Sequence, residues 1–231
     1  MKDRERTDAF IHYIMSLTGG FMGAYGLFNR FEIFGSAQTS NLIHSVTDLA
    51  GGNWSSLLLR MGALFIFMTA IAATVFISGH SRHNLRLICI LLEIPVVMAL
   101  GFLPADMNPM ITLYPVFFIM AFQWCAFTGV KGYASSTIFS TNNLRQFVTA
   151  LCMYRDSRDR KHLEKAAVYG YTLLFYHIGV AVSCFATSAF GIPCVWLCIL
   201  PLGLSLVLME RERLHIKAGH IYTCANDYNM L

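Results

Sequence analysis

Two short polar runs carry the chemistry this sequence offers. They are Thr39-Ser40-Asn41-Leu42 and, at an offset of 102 residues, Thr141-Asn142-Asn143-Leu144. Hydroxyl and carboxamide side chains give and take hydrogen bonds without carrying charge, so they suit the holding of a small polar solute better than the breaking of a bond. The likeness extends past the motif, since Ala24, Val46, Thr47 and Leu49 recur as Ala126, Val148, Thr149 and Leu151. That is more identity than chance supplies in so short a window, and it reads as an internal duplication.

Three further polar residues stand inside apolar runs: Glu93 in 87–100, Gln123 in 119–126 and His177 in 173–182. Ionisable groups at bilayer depth are costly and tend to be functional or paired. Glu93 and His177 are therefore candidates for proton coupling, and the alternative for each is a hydrogen bond between helices. Gln123 joins the solute-binding candidates, with helix glue as its alternative. Lys131 and Arg145 flank the second motif, where they would attract an anion or simply belong to the basic membrane face.

Other chemistry is missing from the sequence. It has no glycine-rich nucleotide loop, Ser-His-Asp set, HExxH helix or CxxC pair. Most of the seven cysteines lie in apolar runs, where cysteine behaves as a small hydrophobe. Cys194 and Cys198 lack a nearby third ligand, so no metal and no cofactor is expected. The net charge of +4 comes without an aromatic-laced basic patch, which argues against a nucleic-acid partner.

The elements that must position these residues are membrane helices. The chain is 56% hydrophobic and 13% charged, with a mean hydropathy of +0.54, whereas about a quarter of the residues in a soluble domain are charged. Six segments, 9–28, 57–79, 86–104, 110–130, 166–188 and 191–209, are long enough to cross a hydrocarbon layer, which takes about 20 helical residues. The first follows Lys2, Arg4 and Arg6 but is too long for a signal-peptide core and lacks a small-x-small cleavage site.

Basic residues cluster in the N-terminal tail, in 79–86, in 155–165 and after 210, while 104–109 and 191–193 hold neither Lys nor Arg. Six spans with both termini in the cytoplasm put every cluster inside, leaving Arg30 and Arg60 as misfits. Trp54, Tyr114 and Trp196 near span ends suit the interfacial belt. The basic stretch 154–165 suits contact with anionic lipid.

The expected fold is all-α: a polytopic membrane bundle of six spans plus two half-helices, one integral membrane domain over 1–231. Repeat 1 covers about 9–104 and repeat 2 about 110–209, followed by a cytoplasmic tail at 210–231. An odd number of crossings separates equivalent points, so the repeats are inverted, a common build of secondary transporters.

The motif segments should be the half-helices. In 39–50, Leu42, Ile43, Val46 and Leu49 share one face at helical spacing, with Thr39 or Ser40 as N-cap and Gly51-Gly52 as stop. In the second copy Thr141 or Asn142 would cap a stripe of Leu144, Phe147, Val148 and Leu151. Twelve helical residues rise only about 18 Å, so each would be reached by an extended lead, Phe31–Gln38 or Tyr133–Ser140. The Gly19-x-x-x-Gly23 spacing should let a neighbouring backbone approach the first span.

The stretches Gly19-Gly20-Phe21-Met22-Gly23, Phe34-Gly35-Ser36-Ala37-Gln38-Thr39-Ser40-Asn41 and Met120-Ala121-Phe122-Gln123, with Ser140-Thr141-Asn142-Asn143-Leu144, resemble the YoaK family of bacterial multi-pass membrane proteins. The chain departs from the commoner pattern at Ser40, where Gly is usual, and at Gly23, where many members carry Asp. The resemblance implies a bacterial inner-membrane location and the topology above, without an activity.

Taken together the residues point to a secondary transporter or permease for a small polar or anionic solute. Thr39, Ser40, Asn41, Gln123, Thr141, Asn142 and Asn143 would bind it, with Glu93 or His177 coupling to protons. No enzyme activity is expected. The rivals are a membrane-embedded partner or sensor protein and a lipid-modifying membrane enzyme. The partners expected are the solute and the bilayer, and a homo-oligomer is left open.

Overall fold

The computed structural model describes residues 2–29, 38–81 and 84–228, with side chains as far as Leu214. Apart from one two-residue hairpin, the regular structure is helical: α1 (Lys2–Asn29), α2 (Thr39–Ala50), α3 (Trp54–His80), α4 (Leu85–Leu100), α5 (Pro109–Thr112), α6 (Tyr114–Ala126), α7 (Thr141–Ser157), α8 (Arg160–Phe190) and α9 (Ile199–Tyr228). A 3-10 turn, Ile192–Cys198, leads into α9, and strands β1 (Gly129–Val130) and β2 (Tyr133–Ala134) pair after α6.

Local chemistry sets the helix ends. Asn53, Asn84, Asn108 and Asp159 each accept a backbone N–H from the first turn of α3, α4, α5 and α8. These side chains satisfy donors that the first helical turn leaves unpaired. Gly191, at φ +62°, closes α8 in a conformation a side chain would strain. Lys131 and Gly132, at φ +52° and +77°, form the two-residue hairpin loop, the sign pattern that matches the twist of paired strands.

Among the described residues, four stretches are long and apolar enough to cross a bilayer: Trp54–His80, Pro109–Ala126, Arg160–Phe190 and Ile192–Leu214. α1 has 28 residues but opens on the charged tail, and α4 has 16, a rise of about 24 Å. The segment expected at 86–104 stops being helical at Leu100, before Gly101 and Pro104. The one expected at 110–130 ends at Ala126, giving way to the hairpin. The second motif helix has 17 residues rather than the expected twelve, running past its apolar stripe to Ser157.

The core is built around α1 and α6. Every residue from Thr18 to Gly26 is buried, and Phe21, Met22, Tyr25, Phe117 and Phe122 are among the fully enclosed side chains. α1 packs on α8 and α9, and α6 packs on α3 and α4. α2 lies on α3, α7 lies on α8, and α4 meets α9.

The closest approach joins α1 to α8. A Cβ at Gly20 would overlap the Tyr176 carbonyl oxygen, and one at Gly179 the Leu17 carbonyl oxygen. Small residues allow such backbone contact where apolar side chains gain nothing by hiding from lipid. Outward, the long helices present Leu58 and Phe65, about 70% exposed, with Phe76, Leu174 and Phe185. Apolar faces of that extent, together with backbone groups satisfied inside each helix, are the make-up of a membrane protein.

Candidate functional site

The second motif is held at the end of an interrupted segment. After β2 the chain runs without helix through 135–140, then turns into α7. Its depth can be read along α1. Ser135 Oγ and His12 Nε2 share a 2.7 Å hydrogen bond. Gln123 Nε2 donates to Met15 O and to Thr137 Oγ1, both at 2.9 Å. A Cβ at Gly19 would overlap the Thr137 carbonyl oxygen. Tyr176, whose backbone touches Gly20, interacts with Ser140 through its side chain. The extended lead therefore descends beside α1 from His12 to about Gly20, roughly 12 Å of helix rise. α7 then returns along α8, with Phe147 against Gly170.

This brings His12, Ser16, Gln123, Ser135 and Thr137 into one polar seam, each at most 3% exposed. His12 Nδ1 and Gln123 Oε1 have no hydrogen-bond partner, so the seam holds spare bonding capacity. Buried polar groups are ordinarily satisfied. The expected extended lead Tyr133–Ser140 is thus present, while its counterpart at 31–37 lies outside the described residues, as do Arg30, Arg82 and His83.

Within the motifs the asparagines anchor. Asn143 donates to Ser136 O at 2.7 Å and Phe139 O at 2.9 Å, and accepts from Ser136 N at 3.2 Å. It is 1% exposed and ties the lead to the helix it feeds. Asn41, equally enclosed, takes a 3.4 Å bond from Arg60 and reaches Gln38. Arg60 is fixed by Asp48 at 2.8 Å. That bond explains the Arg60 misfit: α3 and α2 pair the charge locally.

Thr39, Ser40, Thr141 and Asn142 are exposed, and none caps its helix. Gln38 and Ser140 occupy the cap positions with helical dihedrals, from which a side chain does not reach the first-turn N–H groups. The apolar stripes Leu42, Ile43, Val46 and Leu49, and Leu144, Val148 and Leu151, face outward. No hydrogen bond among the described residues joins the two motifs, since α2 packs on α3 and α7 on α8.

Glu93 and His177 are not brought together either. Glu93, 1% exposed, accepts a 3.0 Å bond from the Cys89 thiol, and its Oε2 has no partner. It faces Cys198 in the 3-10 turn that leads into α9. His177 is exposed and bonds its own helix at Leu173 O. The histidine that does enter the core is His12, which sequence reasoning missed although it lies within the expected first span. Among the described residues no group of three His, Cys, Asp or Glu side chains could hold a metal.

One end of the bundle is open. A cavity of about 600 Å³ lies between the starts of α1 and α4 and the middle of α9. A second, of about 450 Å³, lies under the hairpin. Asp8 and Arg86 line both. Arg86 donates to Asp8 at 3.1 Å and to Gly129 O at 3.3 Å, and stands 5.6 Å over the Phe127 ring. Asp8 is one helical turn above His12, and Ala134 of the second cavity precedes Ser135. The polar seam therefore begins where the open end stops.

A family model for proteins of unknown function, DUF1275, matches residues 11–208. The chain belongs to the DUF1275 family. The match spans the polar seam and both motif helices and leaves out residues 1–10 and 209–231, the latter including most of α9. No curated protein and no solved structure matches this DUF1275 chain.

Proposed function

We propose that this DUF1275 protein is a secondary transporter or permease for a small polar solute. The observation that carries the reading is the interrupted segment 135–140, which puts non-helical backbone and a buried polar seam beside the middle of α1. Irregular backbone at bilayer depth is tolerated where protein buries it or water lines it, and such breaks recur at solute sites. The solute would pass from the open end, past His12 and Ser135, to Gln123, Thr137 and the start of α7. Thr141, Asn142 and the equivalent Thr39 and Ser40 keep their place as contacts at the two half-helix ends.

Six spans in two inverted repeats agree with the packing. Exchanging α1 with α6, α2 with α7, α3 with α8 and α4 with α9 carries each major helix contact onto another. The exchange turns the α1–α8 pair into α6–α3, and α1–α9 into α6–α4. The basic loops support cytoplasmic termini, and the YoaK resemblance supports a bacterial inner membrane. Glu93, enclosed and without a cation partner, is the candidate for proton coupling. His177, the other candidate, is exposed on α8 and bonds its own helix at Leu173 O.

Uptake of a labelled metabolite panel by vesicles carrying the protein tests the reading. Saturable uptake, lost in Gln123→Leu, supports it, whereas uptake no better than empty vesicles for every solute removes it. The rival reading is a non-transporting partner or sensor. The tight burial of His12, Gln123 and Thr137 favours it, because a packed centre needs no route. A lipid-modifying enzyme finds no support in the separated Glu93 and His177.

A further inference from the structure

The larger cavity carries six charged side chains of balanced sign: Arg4, Arg86 and Arg213 against Asp8, Glu210 and Glu212. Two opposite pairs are closed, Arg86 with Asp8 at 3.1 Å and Arg213 with Glu210 at 3.4 Å. Among the described residues Arg4 and Glu212 close no such pair. Glu212 Oε1 is shut away from solvent without a hydrogen-bond partner, and its carboxylate feels Asp8, Arg4 and Arg86 through space. The smaller cavity repeats the balance with Arg86 and Lys131 against Glu5 and Asp8.

We propose that this cavity binds a small zwitterion, a molecule of amino-acid size carrying one carboxylate and one ammonium. The inference names the solute class of the transport reading, and the binding itself can be tested apart from transport. A cavity of about 600 Å³ accepts a molecule of that size with water around it.

The charge pattern selects the class. A lone anion reaching Arg86 would strip it from Asp8 and leave two carboxylates, Asp8 and Glu212, to share Arg4. A lone cation at Asp8 would leave Arg86 similarly unpaired. With the Arg86 and Asp8 side chains 27% and 35% exposed, satisfying only one side of the pair costs more than exchanging both partners, by less than in a fully buried pair. A zwitterion exchanges both: its carboxylate takes the forked donors of Arg86, with Arg4 beside them, and its ammonium takes Asp8 and the spare oxygen of Glu212. Because the Asp8–Arg86 bridge separates the two cavities, the same exchange opens the way toward His12 and Ser135.

The test is equilibrium binding to the full-length protein in lipid nanodiscs, read by calorimetry and by the shift in unfolding temperature. The probes are glycine, alanine, β-alanine and γ-aminobutyrate, against acetate and methylamine as single-charge controls. At least one zwitterion is expected to bind saturably and about tenfold or more tighter than either control, the loss expected from an unpaired charge. Glu212→Gln, which keeps the shape of the side chain, and Arg4→Gln, at an exposed position, should each weaken it about tenfold without moving the unfolding temperature of the ligand-free protein. Acetate binding as tightly as the zwitterions, binding unchanged in both variants, or no binding of any of the four overturns the proposal. Saturable zwitterion binding without uptake leaves the site standing and removes transport; uptake of another solute without zwitterion binding does the reverse.

Discussion

Gly20→Ala should open the molecule along its central seam. The added Cβ would overlap the Tyr176 carbonyl oxygen, with the carbonyl carbon at 2.8 Å and the Cα at 3.1 Å. All three atoms are backbone of α8, so no side-chain rotation relieves the overlap. α1 and α8 must part by about 1 Å, a gap that already forfeits a quarter to a half of each van der Waals contact across it. Overpacking of a tight core costs about 1–3 kcal/mol, and a backbone-to-backbone clash belongs at or above the top of that range. The gain from replacing a helical glycine, about 1 kcal/mol, offsets only part of it. Gly203→Ala in α9 is the control, because no atom lies within 4 Å of its added methyl, and only the propensity gain should remain. Unfolding in mixed micelles, followed by circular dichroism across a denaturing-detergent titration, measures both. Equal stability of the two variants would refute the close approach of α1 and α8.

The remaining expectations concern the motifs and the open end. Asn143→Ala removes three hydrogen bonds that hold 136–140 and should cost about 2–3 kcal/mol in the same titration, whereas Asn142→Ala should stay within about 0.5 kcal/mol. A double-mutant cycle on Asp48→Asn and Arg60→Gln should give a coupling of about 1 kcal/mol or more, since both side chains are less than one-fifth exposed. Gln123→Leu leaves the Thr137 hydroxyl without its carboxamide donor and should cost about 1 kcal/mol of stability while abolishing uptake, the second effect separating a route residue from helix glue. Glu93→Gln should leave folding intact and flatten the pH dependence of uptake; an unchanged pH profile removes Glu93 from coupling.

Composition and hydrophobic period were enough to read a helical membrane protein, because runs near 20 apolar residues without charge have few other uses. Thr39–Ala50 was legible as a helix ended by Gly51, and so was the extended character of 133–140, since small and hydroxyl residues at those positions compete with helix. The offset of 102 residues marks both motif segments in the sequence. Sequence could not assign work within a motif. Asn41 and Asn143 look no different from their neighbours in one dimension, yet they turn inward while Thr39, Ser40, Thr141 and Asn142 turn out.

Which polar groups meet was decided only by tertiary structure. Glu93 and His177 share an apolar setting in sequence, but Glu93 is enclosed against Cys89 and Cys198 while His177 is exposed on α8 and bonds its own helix. His12, Ser135 and Gln123 are scattered over more than a hundred residues and form one seam because Gly19 and Gly20 let a non-helical strand and α8 come against α1. Hydrophobic period reports which face of a helix avoids water. It carries no information about which other helix that face will find, and the polar seam of this protein lies in that choice.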